Sequence, residues 1–172
     1  MESKPVRPST VTGCFESIVR ALEKTALDFY QNRLVSLAIF GSVARQEMRA
    51  DSDLDLLVVA SPLPDGRIAR RREFDQVEEL LTQEFAQARA AGIYTRIAAI
   101  LKTPAEVEHG SLIFLDMIED ARILFDRNCF FQDYLSRLSE KLKELGSVKV
   151  MKENGYYWIL KPGKKPEENI IL

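Results

Sequence analysis

The sequence is poor in the residues that most often build metal centres and nucleophilic triads. Its 172 residues include one histidine, His109, and two cysteines, Cys14 and Cys129. A single histidine argues against a histidine-based metal site and against a Ser-His-Asp triad. Cysteines this far apart match no metal or redox spacing, and we interpret them as small, partly buried residues in a reducing cytoplasm.

The chain also lacks a strong net charge and a long apolar run. Its formal charge is -2 at pH 7, so no overall basic field draws it to nucleic acid, which is not an expected partner. No run approaches the roughly 18 apolar residues of a membrane span, and residues 1–11 lack the apolar segment of a signal peptide. With 46% hydrophobic and 29% charged residues, the composition is that of an ordinary globular protein, which we expect to be cytoplasmic.

Short apolar runs alternate with helical periodicities along the chain. The pattern predicts strands over 34–40, 54–60, 93–101 and 122–125 and helices over 14–31, 67–91, 111–119 and 131–145. The near-continuous apolar character of the first two strands predicts a sheet covered on both faces, in an α/β (α+β) fold. A tail hairpin is predicted from 147–151 and 156–160 around Asn154-Gly155.

The predicted organisation is a core domain over 14–127 with a C-terminal appendage, 128–172, packed on the same domain. Two local patterns support helix boundaries within the core. Gly92 occupies the position of a C-terminal glycine cap, and Thr103-Pro104-Ala105-Glu106 forms a capping box with proline at the first helical position. The buried stripe of the helix over 67–91 is predicted to contain Val77, Leu80, Leu81, Phe85 and Ala88.

A strand, a Gly-Ser pair and an Asp-x-Asp motif lie close together in the sequence. Gly41 and Ser42 follow the strand over 34–40, and ten residues later Asp53-Leu54-Asp55 opens the next strand. Gly41 allows a sharp turn and leaves room for a phosphate, and Ser42 adds a hydroxyl donor. Arg45 is a candidate for bidentate phosphate binding, and a short helix over 43–48 would add its N-terminal charge.

Asp53 and Asp55 are the candidate catalytic and metal-ligating residues. Two positions apart on a strand, they face the same side with Cα atoms roughly 6.6 Å apart. Their mutual repulsion is relieved by a divalent cation, and hard oxygen ligands suit Mg²⁺, which takes further oxygens from substrate phosphates. An isolated Asp-x-Asp or Gly-Ser is weak evidence, but the two together at this spacing favour a nucleotide site.

At Gly41, Ser42, Asp53 and Asp55 the sequence resembles the minimal nucleotidyltransferases of the polymerase-β superfamily. The resemblance implies a small mixed β-sheet flanked by helices, binding of Mg²⁺ and ATP, and transfer of a nucleoside monophosphate to a hydroxyl acceptor. It also implies a partner, because family members of this size often pair with a small helical HEPN-type protein as toxin and antitoxin. Asp53 and Asp55 would then hold the metal, and Gly41 and Ser42 the triphosphate.

The sequence departs from that family at one point. The superfamily usually supplies a third carboxylate from a neighbouring strand, but residues 93–101 contain no Asp or Glu and place Arg96 there instead. Glu106 is already explained by the capping box, and Glu108 is the other nearby acid. Two hypotheses stay open: an active enzyme, or a catalytically reduced nucleotide-binding domain that acts as an antitoxin or regulatory module.

Two further clusters have alternative interpretations. The arginine cluster is interpreted as a solvated helix face paired with nearby glutamates, and docking of an acidic partner or an RNA backbone is the alternative. It comprises Arg67, Arg70, Arg71 and Arg72, and the glutamates are Glu73, Glu78 and Glu79. The aromatic residues 156–158 are interpreted as packing the tail hairpin, while base stacking or a subunit interface leaves a homo-oligomer open.

Overall fold

The computed structural model describes residues 7–152 and 155–162. The strands in this part of the chain are β1 (Leu34–Phe40), β2 (Leu54–Ala60), β3 (Ile97–Lys102), β4 (Arg122–Asp126), β5 (Val148–Lys152) and β6 (Gly155–Ile159). The α-helices are α1 (Pro8–Tyr30), α2 (Gly41–Ala44), α3 (Arg67–Glu79), α4 (Thr82–Ala90), α5 (Pro104–Glu108), α6 (Met117–Asp120) and α7 (Phe130–Glu144). The α/β class is confirmed, and β1 and β2 have the predicted bounds.

The main sheet is mixed, as the resemblance implied. Its strand order is β3-β2-β1-β4, with β2 parallel to β3 and the other neighbours antiparallel. The parallel pair is joined through α3 and α4, because parallel neighbours need a long crossover connection. The other sheet is the tail hairpin, in which β5 pairs antiparallel with β6. Of its predicted turn, Asn154 lies outside the described residues.

Both faces of the main sheet are covered. Side chains alternate along each strand, so Leu37 and Ile39 of β1 pack into the cluster that contains α1, while Ala38 packs with Leu57 and Phe131 of α7 on the other face. The near-continuous apolar pattern of β1 and β2 follows from this double coverage, which confirms the prediction. No helix within residues 7–152 and 155–162 combines the length and apolar character that a bilayer crossing demands.

The predicted helix over 67–91 is wrong in one respect, because the chain breaks it into α3 and α4. Leu81 is 1% exposed but Leu80 is 66% exposed, so Leu80 does not belong to the buried stripe. The hydroxyl of Thr82 donates to the carbonyl of Glu79 at 2.6 Å across the break. The turn there rotates the second helix so that Leu81, rather than Leu80, reaches the core.

Other boundaries differ less. Helix α1 begins at Pro8, earlier than the predicted 14, with proline at the start where its missing N–H costs nothing. The strand predicted over 93–101 begins only at Ile97, since the preceding segment is diverted by a hydrogen bond from the Tyr94 amide to the Ala50 carbonyl at 2.7 Å. The segment predicted as one helix over 111–119 forms a 3₁₀ turn, Leu112–Asp116, followed by α6.

Arg70 and Glu106 connect three elements beside β3. The Arg70 guanidinium donates to the Leu101 carbonyl at 3.3 Å and to the Glu106 carboxylate at 2.7 Å. Glu106 also accepts from the Thr103 amide at 2.8 Å, while the Thr103 hydroxyl accepts from the Glu106 amide at 3.3 Å. The predicted capping box is therefore confirmed. These hydrogen bonds, the one from Arg70 first, lower the pKa of Glu106 to about 2.

This pKa predicts how stability depends on pH. A carboxylate whose pKa is lower in the folded chain than its ordinary value of 4.5 stabilises the fold above that value and loses the contribution as pH falls towards about 2. We expect Glu106→Gln to lower the free energy of unfolding at pH 7 by about 1–2 kcal/mol, since the group is partly exposed to solvent. The difference from wild type should shrink between pH 5 and pH 2, measured by urea unfolding.

Glu108→Gln is the matched control, because Glu108 belongs to the same helix, α5, as Glu106. The substitution removes only an exposed ion pair with Arg137. We expect its free energy of unfolding to stay within about 0.5 kcal/mol of wild type at every pH. Equal effects of the two substitutions would contradict a stabilising role specific to Glu106.

Candidate functional site

Pairing of β1 with β2 brings Gly41 against Asp55. Phe40, the last residue of β1, lies opposite Asp55 in the antiparallel register. Gly41 then turns with φ +70°, a conformation that favours glycine. A Cβ at this position would collide with the Asp55 carboxylate and would lie 3.2 Å from its Cγ atom. Glycine is required here twice over, for the turn and for the close approach of the acid.

The turn after Gly41 offers backbone amides beside the acid. Helix α2 has only four residues, and it starts at Gly41 rather than at 43 as predicted. The carbonyls of Gly41 and Ser42 accept from the amides of Arg45 and Glu47 at 3.2 and 2.8 Å. The first amides of a helix have no partner within it, so those that follow Gly41 are suited to phosphate oxygens. So short a helix contributes amides rather than a macrodipole.

Asp53 and Asp55 share one face at the start of β2, as predicted. Leu54 between them is fully buried on the opposite face. Asp55 is half-buried, and this burial raises its pKa above the ordinary value, as does the charge of Asp53, while the charge of Arg45 lowers it. Two like charges in a partly desolvated position are the environment that a cation relieves.

Arg45 lies near this pair but is already engaged. Its Nε donates to Glu47 at 2.9 Å and its Nη1 to Asp120 at 3.2 Å. These contacts, first the hydrogen bond to Glu47, raise the pKa of Arg45. Arg45 thus carries positive charge to the site, and its predicted bond to phosphate requires at least one of these ion pairs to open.

Arg96 lies beside the aspartates, as the sequence suggested. Its Nε is 3.1 Å from both carboxylate oxygens of Asp53, and its Nη2 is 3.0 Å from one of them. The Arg96 side chain is largely exposed, and the hydrogen bonds to Asp53 raise its pKa. A guanidinium in this position neutralises Asp53 and competes with a cation for the same oxygens.

The neighbouring strand presents alanine where a third carboxylate would stand. Ala98 of β3 lies opposite Asp55 in the parallel register, so its side chain is on the same face as the acid pair. Glu106 and Glu108 do not replace it, because they are paired with Arg70 and Arg137. Across the described ranges, no three or more His, Cys, Asp and Glu residues gather as a metal centre would require.

The acid pair nevertheless fits a single Mg²⁺ ion. Asp53 and Asp55 supply hard oxygen donors, and Mg²⁺ typically binds through one or two carboxylates and completes its shell with water and substrate phosphates. The close approach of Gly41 places the partly buried Asp55 carboxyl group next to the amide-bearing turn, and the raised pKa of Asp55 shows that its charge is not fully compensated without a cation. The contact between Arg96 and Asp53 occupies carboxylate oxygens that a second ion would need.

Two features of the site have no signal in the sequence. Which residue of β3 faces Asp55 depends on a register between distant segments, so Ala98 is recognisable only in three dimensions. The same is true of a cleft of about 860 Å³ beside Asp55, which is lined by β3 and by arginines of α3. Only the arginine cluster itself, read from the sequence, pointed towards this surface.

Comparison with known proteins agrees with this geometry. The family model of the nucleotidyltransferase domain matches residues 19–111, which include the turn, the acid pair and β3. This chain belongs to the nucleotidyltransferase domain family. The nucleotidyltransferase family expected from Gly41, Ser42, Asp53 and Asp55 is thereby confirmed.

A curated relative and two solved structures are similar to this chain. "Putative protein adenylyltransferase MJ1305" of Methanocaldococcus jannaschii is 31% identical over 123 residues, which cover 70% of this chain and 78% of the relative. A spectinomycin adenyltransferase from Enterococcus faecialis, solved with ATP and spectinomycin, is 15% identical to this chain. The match covers 76% of this chain and 66% of that structure's chain, with TM-score 0.46. A toxin–antitoxin structure with AMP-PNP has 17% identity, 72% and 92% coverage, and TM-score 0.40.

The contact between Gly41 and Asp55 gives a sharp prediction. We expect Gly41→Ala to lower the free energy of unfolding by about 1–3 kcal/mol, because of the φ of +70° and the collision with Asp55. It should also weaken binding of a non-hydrolysable ATP analogue by at least roughly tenfold, because the turn must move away from the acid pair. Urea unfolding and titration calorimetry measure the two effects.

Gly13→Ala serves as the control, since Gly13 lies in α1 and a Cβ there meets nothing within 4 Å. It should stabilise the fold by up to about 1 kcal/mol and leave nucleotide binding unchanged. Wild-type affinity in Gly41→Ala would contradict the placement of the triphosphate.

Proposed function

We propose that this protein is a nucleotidyltransferase that uses Mg²⁺ and ATP to attach AMP to a hydroxyl group of another protein. The observation that carries the proposal is the contact between the backbone at Gly41 and the carboxylate of Asp55, with Asp53 on the same face. The amides that we propose to bind phosphate and the oxygens that we propose to bind the metal are thus adjacent. The 31% identical relative, whose name describes a protein adenylyltransferase, supports ATP as donor and protein as acceptor.

In the proposed reaction the acceptor oxygen forms a bond to the α-phosphorus of ATP while the bond from that phosphorus to the pyrophosphate oxygen breaks. Pyrophosphate leaves, and the hydroxyl proton passes to water. The amides after Gly41 and the Ser42 hydroxyl orient the triphosphate. These groups contribute to catalysis by positioning the substrate and form no covalent intermediate with it. Asp53 and Asp55 would hold Mg²⁺, which when bound neutralises charge on the phosphates.

The second candidate is a nucleotide-binding module with little or no turnover, and two observations favour it. Arg96 occupies the oxygens of Asp53, and Ala98 stands where the superfamily usually has its third carboxylate. Such a module would bind ATP and act by holding a partner, for which a small helical HEPN-type protein is our proposal. Transfer of label to a protein separates the two candidates, because both predict ATP binding.

Loss of one carboxylate tests the enzyme. With ATP labelled at the α-phosphate and the proteins of the source cell as acceptors, we expect Asp55→Asn to reduce protein labelling by at least about 100-fold, since the retained amide cannot bind a cation as a carboxylate does. Asp51→Asn is the matched control, because Asp51 is highly exposed and pairs only loosely with Arg49. Its labelling should equal that of wild type.

ATP-analogue binding by the wild-type chain without any labelling would favour the binding module over the enzyme. Wild-type labelling by Asp55→Asn would contradict the proposed role of Asp55 in catalysis.

Restoring the third carboxylate provides a gain-of-function test. Because Ala98 lies opposite Asp55, an aspartate there would face the acid pair and accept the acceptor's proton. We expect Ala98→Asp to raise the labelling rate by roughly tenfold or more, given what positioned bases contribute. Ala98→Asn has nearly the same shape without the charge and should leave the rate unchanged or lower. Equal rates in the two variants would show that position 98 does not face the reacting group.

A further inference from the structure

The cleft beside Asp55 extends from this residue over β3. Its volume is about 860 Å³, and its lining includes Asp55, Arg96 and the whole of β3, together with the start of α3. Phe40 at the end of β1 also lines the cleft, but Gly41, Ser42 and Arg45 do not. Most of the cleft opens over β3, the neighbour of β2 on the side away from β1. The cleft and the amide-bearing turn therefore adjoin at Phe40 and Asp55.

The cleft contains an open sheet edge. β3 is the terminal strand of the main sheet, with β2 as its only neighbour among the described strands. The Arg96 carbonyl accepts from the Leu54 amide at 2.9 Å, so the alternation of a parallel ladder turns the backbone groups of Ile97, Ala99 and Leu101 away from β2. The Leu101 carbonyl indeed accepts from Arg70 instead. The free part of this edge runs along β3 from Ile97 to Leu101, where Arg70 contacts it. This stretch is long enough to pair with an extended segment of about three residues.

The cleft also carries an excess of positive charge. Its lining has five cationic side chains and two carboxylates, although the whole chain has a formal charge of -2. Arg70, Arg71 and Arg96 have carboxylate partners. Arg67 is exposed and forms no ion pair with a carboxylate in the described part of the chain, while Lys102 lies near enough to Glu106 to help lower the pKa of that carboxylate. A ligand that complements this surface is extended and acidic.

We propose that this cleft docks an extended acidic segment of the acceptor protein along the edge of β3 and presents a hydroxyl of that segment to the nucleotide. The proposal rests on the function proposed above and adds the acceptor's chemistry to it. Displacement at phosphorus is in line, so the hydroxyl approaches from the side opposite to the departing pyrophosphate. Because the cleft over β3 adjoins Asp55, a hydroxyl held in it would lie next to the proposed nucleotide site.

Binding of a defined acidic probe tests the docking independently of catalysis. The probe is a fluorescent random copolymer of glutamate and tyrosine, followed by anisotropy at low salt. We expect Arg67→Glu to weaken binding roughly five- to tenfold and to flatten its salt dependence, because a cation without a carboxylate partner becomes an anion. Glutamate suits the first turn of α3, so the variant should fold normally.

Arg72→Glu is the matched control, since it makes the same charge change on the same helix at an exposed position outside the cleft lining. Its affinity should stay within about twofold of wild type, since the charge lies outside the contact. A copolymer of lysine and tyrosine should not bind. Equal weakening by the two variants, or by neither, would overturn the proposal.

Two further arms separate the possible failures. A single-stranded RNA oligonucleotide that binds in an Arg67-dependent way, while the acidic copolymer does not bind, would overturn the proposal and make the cleft a nucleic-acid surface. Binding of an ATP analogue and labelling of protein without any copolymer binding would overturn the docking proposal alone. Arg67-dependent copolymer binding without nucleotide binding would support the docking and refute the proposed function.

Discussion

The pairing register of β1 with β2 is the constraint on which the centre of the site depends. It sets Phe40 opposite Asp55 and so brings the turn at Gly41 into contact with the acid. A slip of one residue would exchange the two faces of β2, burying the carboxylates among the side chains that pack on α1 and exposing Leu54. Burial of unpaired carboxylates in an apolar core is strongly unfavourable, so the core that stabilises the fold also enforces the geometry of the site.

Features governed by neighbouring residues were predictable from the sequence. The bounds of β1 and β2 follow from apolar runs that end at a glycine and at Ser61-Pro62, and the capping box at Thr103 is complete within four residues. The break near Leu80 was not predictable, because the apolar period continues through it without a Gly or Pro. The core there accepts Leu81 and leaves Leu80 in solvent, a choice made by packing between distant elements.

The same distinction separates the predictable from the unpredictable parts of the site. Gly41, Ser42, Asp53 and Asp55 are close in sequence, so a short connection must bring them together. Ala98 and Asp55 are brought together across the α3–α4 crossover, so the sequence alone does not show that they face each other. The position matters because it has alanine where the superfamily usually has a carboxylate. The guanidinium of Arg96 neutralises Asp53, while burial keeps the pKa of Asp55 raised.

The amide-bearing turn and the cleft over β3 differ in how strongly the core constrains them. The turn after Gly41 is constrained by contact with Asp55, so we expect substitutions there to alter folding and nucleotide binding together. The cleft is built largely from the edge of β3 and the start of α3, where Arg67 is exposed and takes no part in the core. Substitutions at exposed positions of this edge change the charge of the cleft without altering the turn. If the cleft receives the acceptor as proposed, acceptor preference can change there while the fold and the proposed nucleotide site stay the same, because a site's chemistry is separable from its scaffold.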